Sequence, residues 1–132
     1  MCKIKVIPCS GIGKVHGAMS REAALETIKK CPQKFEAVCL AHIVTGETEG
    51  KEKVKNCDCI TIDGCPAMCS KKSVELAGGN IIKSMKVIDE MKKHRGKRPG
   101  SATILSEDGW MMVDNIVEEI SSEFIESTVG GE

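Results

Sequence analysis

The stretch Cys57-Asp58-Cys59-Ile60-Thr61-Ile62-Asp63-Gly64-Cys65-Pro66-Ala67-Met68-Cys69 carries two signals in direct succession. Residues 57–63 form a short run rich in β-branched side chains, the composition of a strand. Gly64-Cys65-Pro66 then turns the chain, and a proline near the first helical position predicts a helix from about Pro66 to Ala77, closed by Gly78-Gly79. A strand that runs through a tight turn into a helix is the opening half of a parallel crossover.

The same pattern extends outward in both directions. Upstream, Lys3 to Pro8 (KIKVIP) is a β-branched run that ends in Pro-Cys-Ser-Gly. A helix follows in which Val15, Ala18, Leu25 and Ile28 share one face, with Ser20 as its cap if it begins late. Basic residues in the last turn and Pro32 end it at Lys29-Lys30-Cys31-Pro32. Glu36 to Val44 (EAVCLAHIV) is the second strand. Gly46 to Asn56 is polar apart from Val54 and reads as a short exposed helix or a loop. Downstream, Ile81 to Ile88 is the fourth strand, and Met91 to Gly100 is basic and irregular, with residues 92–100 a loop. Ser106 begins the last helix, with Glu107 and Asp108 in its first turn where the helix dipole favours them. Val113, Ile116, Val117, Ile120 and Phe124 repeat at helical spacing within this amphipathic helix of residues 106–128. The expected fold is α/β: one small three-layer domain over residues 1–132, with a mostly parallel four-stranded sheet in the order 2-1-3-4 and helices on both faces.

Composition narrows the function. The 132 residues carry 19 basic and 19 acidic side chains, so the net charge is zero and a dedicated nucleic-acid protein is disfavoured. Two Phe, one Trp and no Tyr leave no set of rings for base stacking or an aromatic cage. The start, Met1 to Ile7, lacks the apolar core of a signal peptide, and no apolar run approaches the ~18 residues of a membrane span. The expected compartment is the cytoplasm, with no membrane partner. Thiols stay reduced there, so eight cysteines point to metal or redox chemistry before structural disulfides.

A parallel sheet sorts those cysteines by edge. Cys9 lies just past strand one, Cys65 just past strand three, and Cys69 four residues further on the following helix, where it shares a face with Cys65. Cys39 lies on strand two. These four belong to the carboxyl edge, where the strand order reverses between strands one and three and open sheets bind ligands. Two helix N-termini point there, and their partial positive charge favours thiolates. A four-thiolate zinc site has Zn–S near ~2.3 Å, hence sulfurs roughly 3.8 Å apart, a spacing that three neighbouring turns can supply. Cys2, Cys31, Cys57 and Cys59 fall at the opposite edge, as separate reduced thiols or a second cluster. No C-x-x-C pair occurs, which argues against a zinc ribbon, a thioredoxin motif or the bacterial ferredoxin run.

At Pro8-Cys9-Ser10-Gly11, Cys39-Leu40-Ala41 and Ile62-Asp63-Gly64-Cys65-Pro66-x-x-Cys69, the chain resembles the DGC-domain family of small proteins described as zinc-binding, named for Asp63-Gly64-Cys65. The resemblance covers about residues 3 to 90. It implies that Cys9, Cys39, Cys65 and Cys69 are the family's motif cysteines. Two departures stand out: His42 where a glycine is expected, and a shorter, more polar segment from Gly46 to Asn56.

Other residues carry lesser readings. Asp63 orients a ligand or accepts backbone N–H groups, or else steadies its own turn. Ser10 caps helix one or bonds a thiolate. Gly11, Gly13 and Gly17 are one residue too widely spaced for a dinucleotide fingerprint, and no Gly-Lys-Ser/Thr follows. His16 and His42 could each lie near the carboxyl edge, where His is a good zinc ligand and His42 could add a ligand or carry a proton, but an isolated His is more often a surface or supporting group and four cysteines already close the coordination. Lys92-Lys93-His94-Arg95-Gly96-Lys97-Arg98 could bind phosphate or nucleic acid, but reads first as a solvated basic loop offset by the acidic last helix. The first expectation for function is one zinc ion held by four thiolates in a structural, sensing or metal-handling role. A closed site lacks the open position of a hydrolase, so an enzyme is not the expected class. The alternatives are a [4Fe–4S] cluster for electron transfer or sensing on the same thiolates, or a thiol-based redox or sulfur-transfer enzyme using Cys65 or Cys69. The sequence leaves a protein partner and the oligomeric state open, since the last helix suits the sheet or a second copy.

Overall fold

The computed structural model describes residues 3–9, 15–38, 52, 54–64, 69–100 and 104–124. Along the chain run β1 (Ile4–Pro8), α1 (Val15–Lys30), β2 (Phe35–Ala37), β3 (Asp58–Asp63), α2 (Cys69–Leu76), β4 (Asn80–Lys86), α3 (Val87–Lys93) and α4 (Glu107–Phe124). The four strands form a single parallel sheet in the order β2-β1-β3-β4, as the crossover pattern predicts. Its centre is β1 against β3, in register from Lys5 opposite Cys59 to Pro8 opposite Ile62.

The pleat splits the core in two. Val6, Ile60 and Ile62 face α1 and α4, where Met19, Ala23, Ala24, Met112, Val113, Ile116, Val117 and Ile120 close over them. Ile7 and Cys59, one position out of phase, face the other side and pack with Val38, Val54 and Val74. Right-handed crossovers in this strand order put α1 on one face and α2 on the other, where Val38 and Val54 also lie. The membership of the two clusters follows that division.

The last helix covers the sheet. Its stripe from Met112 to Ile120 is fully buried against α1 and the strands, which settles the choice that the sequence left open. At β4 the pairing with β3 slips: Cys59 lies opposite Ile81 and Ile60 opposite Lys83. This bulge turns Ile82 and Lys83 to the same side of the sheet. Ile82 joins the first core, and Lys83 reaches Glu119 at 3.1 Å and Glu123 at 2.7 Å on α4.

Four expectations change. On α1 the buried face runs through Met19, Ala23, Ala24 and Thr27, whereas Leu25 is 42% exposed. Small side chains bury here because the helix lies close to its neighbours, so large apolar residues do not mark its inner face. Ser20 is no cap: it is buried within α1 and its hydroxyl donates to the Ile62 carbonyl of β3 at 2.5 Å. Val54, expected on an exposed segment, is fully buried in the second core. Val87 to Lys93, expected as the end of a strand and the start of a loop, is α3. The rest of the expected second strand, residues 39–44, and the segments 46–51 and 125–128 lie outside the described residues.

Candidate metal centre

The carboxyl edge is assembled around the junction of β1 and β3. Cys9 directly follows β1, and its backbone N–H donates to the Ile62 carbonyl at 2.9 Å, which fixes this first residue past the strand against the end of β3. Gly64 follows β3 and lies beside the first turn of α1. A methyl group there would sit 3.1 to 3.2 Å from backbone atoms of His16 and Gly17, so any side chain would push the helix start away by a few tenths of an ångström. The N-terminus of α1 is therefore held at the same edge as the ends of both central strands.

Asp63 organises the start of α2. Its carboxylate is fully buried and accepts from the Ser70 N–H at 2.7 Å and the Lys71 N–H at 3.4 Å. Those amides lack partners inside a helix, and Asp63 supplies the oxygens that a cap residue would ordinarily contribute. Of the roles weighed for Asp63, acceptance of backbone N–H groups is the observed one, across seven and eight residues rather than within its own turn. These amides belong to the first turn of α2, which opens at Cys69, and the carboxylate engages them.

Of the four expected ligands, Cys9 lies just past β1 and is partly buried, and Cys69 opens α2. Cys39 and Cys65 lie outside the described residues, as do Ser10, Gly11, Gly13 and His42. His16 is partly buried on the first turn of α1, at the carboxyl edge as anticipated. Among the described residues, no three His, Cys, Asp or Glu side chains form a group suited to a metal ion.

The opposite set of cysteines does not form one cluster. Cys31 packs against the first core and Cys59 lies within the second, on opposite faces of the sheet. Cys57 is buried at the turn before β3. Cys59 is fully buried, and its thiol donates to the Cys57 carbonyl at 3.3 Å. Burial, with the neighbouring Cys57 and Asp58, pushes its pKa up to about 12. Cys59 behaves as a small core residue, not as a ligand or nucleophile. Cys2 lies outside the described residues.

The basic segment departs from its reading at its start, where Lys92 and Lys93 belong to α3. Of the acidic side chains of α4, Glu118 turns to Lys30 at 3.1 Å, and Glu119 and Glu123 turn to Lys83.

A doubly wound parallel α/β domain with cysteines following its central strands defines the class of protein. Within that class the chain belongs to the DGC-domain family, whose model matches residues 5–116. Searches of curated proteins and of solved structures each return no match. Among the described residues no helix is long and apolar enough to cross a membrane.

Proposed function

We propose that the protein holds one zinc ion by the thiolates of Cys9, Cys39, Cys65 and Cys69 at the carboxyl edge of the sheet, in a structural, sensing or metal-handling role. The observation that carries the reading is the junction of the two central strands. Cys9 directly follows β1 and is bonded to β3, while β3 itself supplies the buried carboxylate that starts α2 at Cys69. Two donors some sixty residues apart in the chain are thereby tied to neighbouring strand ends, where the strand order reverses. A full set of four thiolates leaves zinc no open position, so the centre is not hydrolytic. The Asp63 cap favours this reading over a low-pKa nucleophile at Cys69: with the first-turn amides already engaged, a bound cation is the better source of the charge a thiolate needs.

Oxygen-free purification followed by metal analysis and a visible spectrum is the test. A colourless protein with about one zinc per chain is expected. A brown protein with iron and labile sulfide, or a metal-free protein with a reversible disulfide, overturns the zinc reading. Cys65→Ser and Cys69→Ser are each expected to abolish metal retention. Cys31→Ser, which packs on the far face against α1, is expected to keep it. Equal loss from all three variants would sink the assignment of ligands to the carboxyl edge.

A further inference from the structure

The segment Lys92 to Arg98 places five Lys and Arg side chains within seven residues of a chain whose total charge is zero. Lys92, Arg95, Lys97 and Arg98 are exposed and make no ion pair or hydrogen bond through their side chains among the described residues. Lys93 is the exception, 3.6 Å from Glu90. Three carboxylates of the acidic last helix, those of Glu118, Glu119 and Glu123, are engaged by Lys30 and Lys83 instead.

These cations stand on a braced scaffold. Gly96 adopts a left-handed φ of 88°, which makes the turn. His94 is bonded to the buried carboxylate of Glu90 at 2.8 Å at one end. At the other end the Ser106 hydroxyl donates to the Arg98 carbonyl, the Ser106 N–H donates to the Pro99 carbonyl at 2.8 Å, and Gly100 bridges Leu105. The same bracing folds the chain before α4 back alongside the basic turn. Ile104 therefore lies next to Gly100, and Gly109 packs onto Pro99. This end of the molecule carries two of its exposed large apolar side chains, Ile104 at 74% and Trp110 at 41%. Glu107 and Asp108 oppose the field there, and with Lys93 engaged by Glu90 the count is two charges against four.

We propose that this end of the molecule docks on an anionic lipid surface, with the cations against the headgroup phosphates and Ile104 and Trp110 at the apolar boundary. Lys and Arg clusters are drawn to the negative potential of such a surface, and Trp favours the membrane–water interface. The apolar pair decides the partner: one ring cannot form the stacking platform that a single strand of nucleic acid uses, and an exposed isoleucine has no partner there. An interfacial contact of this kind needs no membrane-spanning helix.

Co-sedimentation of the whole metal-loaded protein with phosphatidylcholine vesicles, with and without phosphatidylserine, tests this. Binding is expected only with phosphatidylserine, falling by about tenfold or more when salt rises enough to screen the charges. Trp110 is the only tryptophan, so its emission reports the contact directly, and a blue shift is expected on binding. Arg95→Glu with Lys97→Glu, both on the exposed turn, is expected to abolish binding with an unchanged circular dichroism spectrum. Ile104→Asp is expected to weaken vesicle binding and remove the blue shift. Failure to bind phosphatidylserine vesicles at low salt overturns the proposal. So does tight binding to an oligonucleotide that Ile104→Asp leaves intact, or vesicle binding without any change in Trp110 emission.

Discussion

Cys59 owes its chemistry to its position. It points into the core, where a methyl group added at Gly79 would stand 3.1 Å from its sulfur. Burial holds the Cys59 thiol protonated at neutral pH, with its pKa raised from 9.0 to about 12. The unfolded chain ionises this thiol near 9 and the folded chain only near 12, so its contribution to stability is whole below pH 9 and declines as pH climbs through that window. Cys59→Ala is expected to flatten the alkaline fall of the urea midpoint between those limits. Alkylation of Cys59 in native protein near pH 8, followed by mass spectrometry, is expected to be far slower than that of Cys31. The raised pKa was not legible in the sequence, because alternation along residues 57–63 says that Cys57 and Cys59 share a face if both are in the strand. In the structure β3 begins at Asp58, so Cys57 belongs to the turn.

At the level of the element, α2 depends on a carboxylate that lies outside it. Its buried stripe is short, Ser70 and Val74, and its first-turn amides rest on Asp63. Asp63→Ala leaves those amides without acceptors and is expected to cost about 1–3 kcal/mol in urea denaturation. Asp63→Asn retains one acceptor oxygen and is expected to lose less. If Asp63→Ala unfolds at the wild-type midpoint, the carboxylate does not hold the helix. The sequence offered this helix readily, through Pro66 and the Gly78-Gly79 stop, and placed its end within a residue or two of Leu76. It offered α3 poorly. Val87 and Ile88 extend the β-branched run of β4, and the helical signal resides in charge alone: Asp89 and Glu90 in the first turn, Lys92 and Lys93 in the last. Hydrophobic pattern outweighed charge pattern in the reading, and tertiary packing decided the other way.

For the whole molecule, the strand order was legible because right-handed crossovers leave few arrangements for alternating strands and helices, and the position of Cys9 and Asp63 at one edge followed from it. The pairing across the two faces was not legible, since it depends on which small residues of α1 lie closest to the sheet. Among the described residues, both hydrophobic cores are assembled from side chains that do not include Cys9. Chelation is therefore expected to lower the melting temperature while leaving a cooperative transition and a native-like far-ultraviolet spectrum, unlike a zinc finger, which unfolds without its metal. A flat, non-cooperative melt after chelation would show that the ion organises more than its own edge. The slip between β3 and β4 has a further effect on how this protein tolerates length changes. Because the extra residue is Ile82, its loss would close the ladder into regular alternation with Lys83 still opposite Ile60 and Met85 still opposite Ile62, whereas loss of Ser84 would either turn Met85 toward α2 or take Lys83 from its carboxylates. A deletion scan of residues 80–86 should therefore be mildest at Ile82 and more damaging at Ser84.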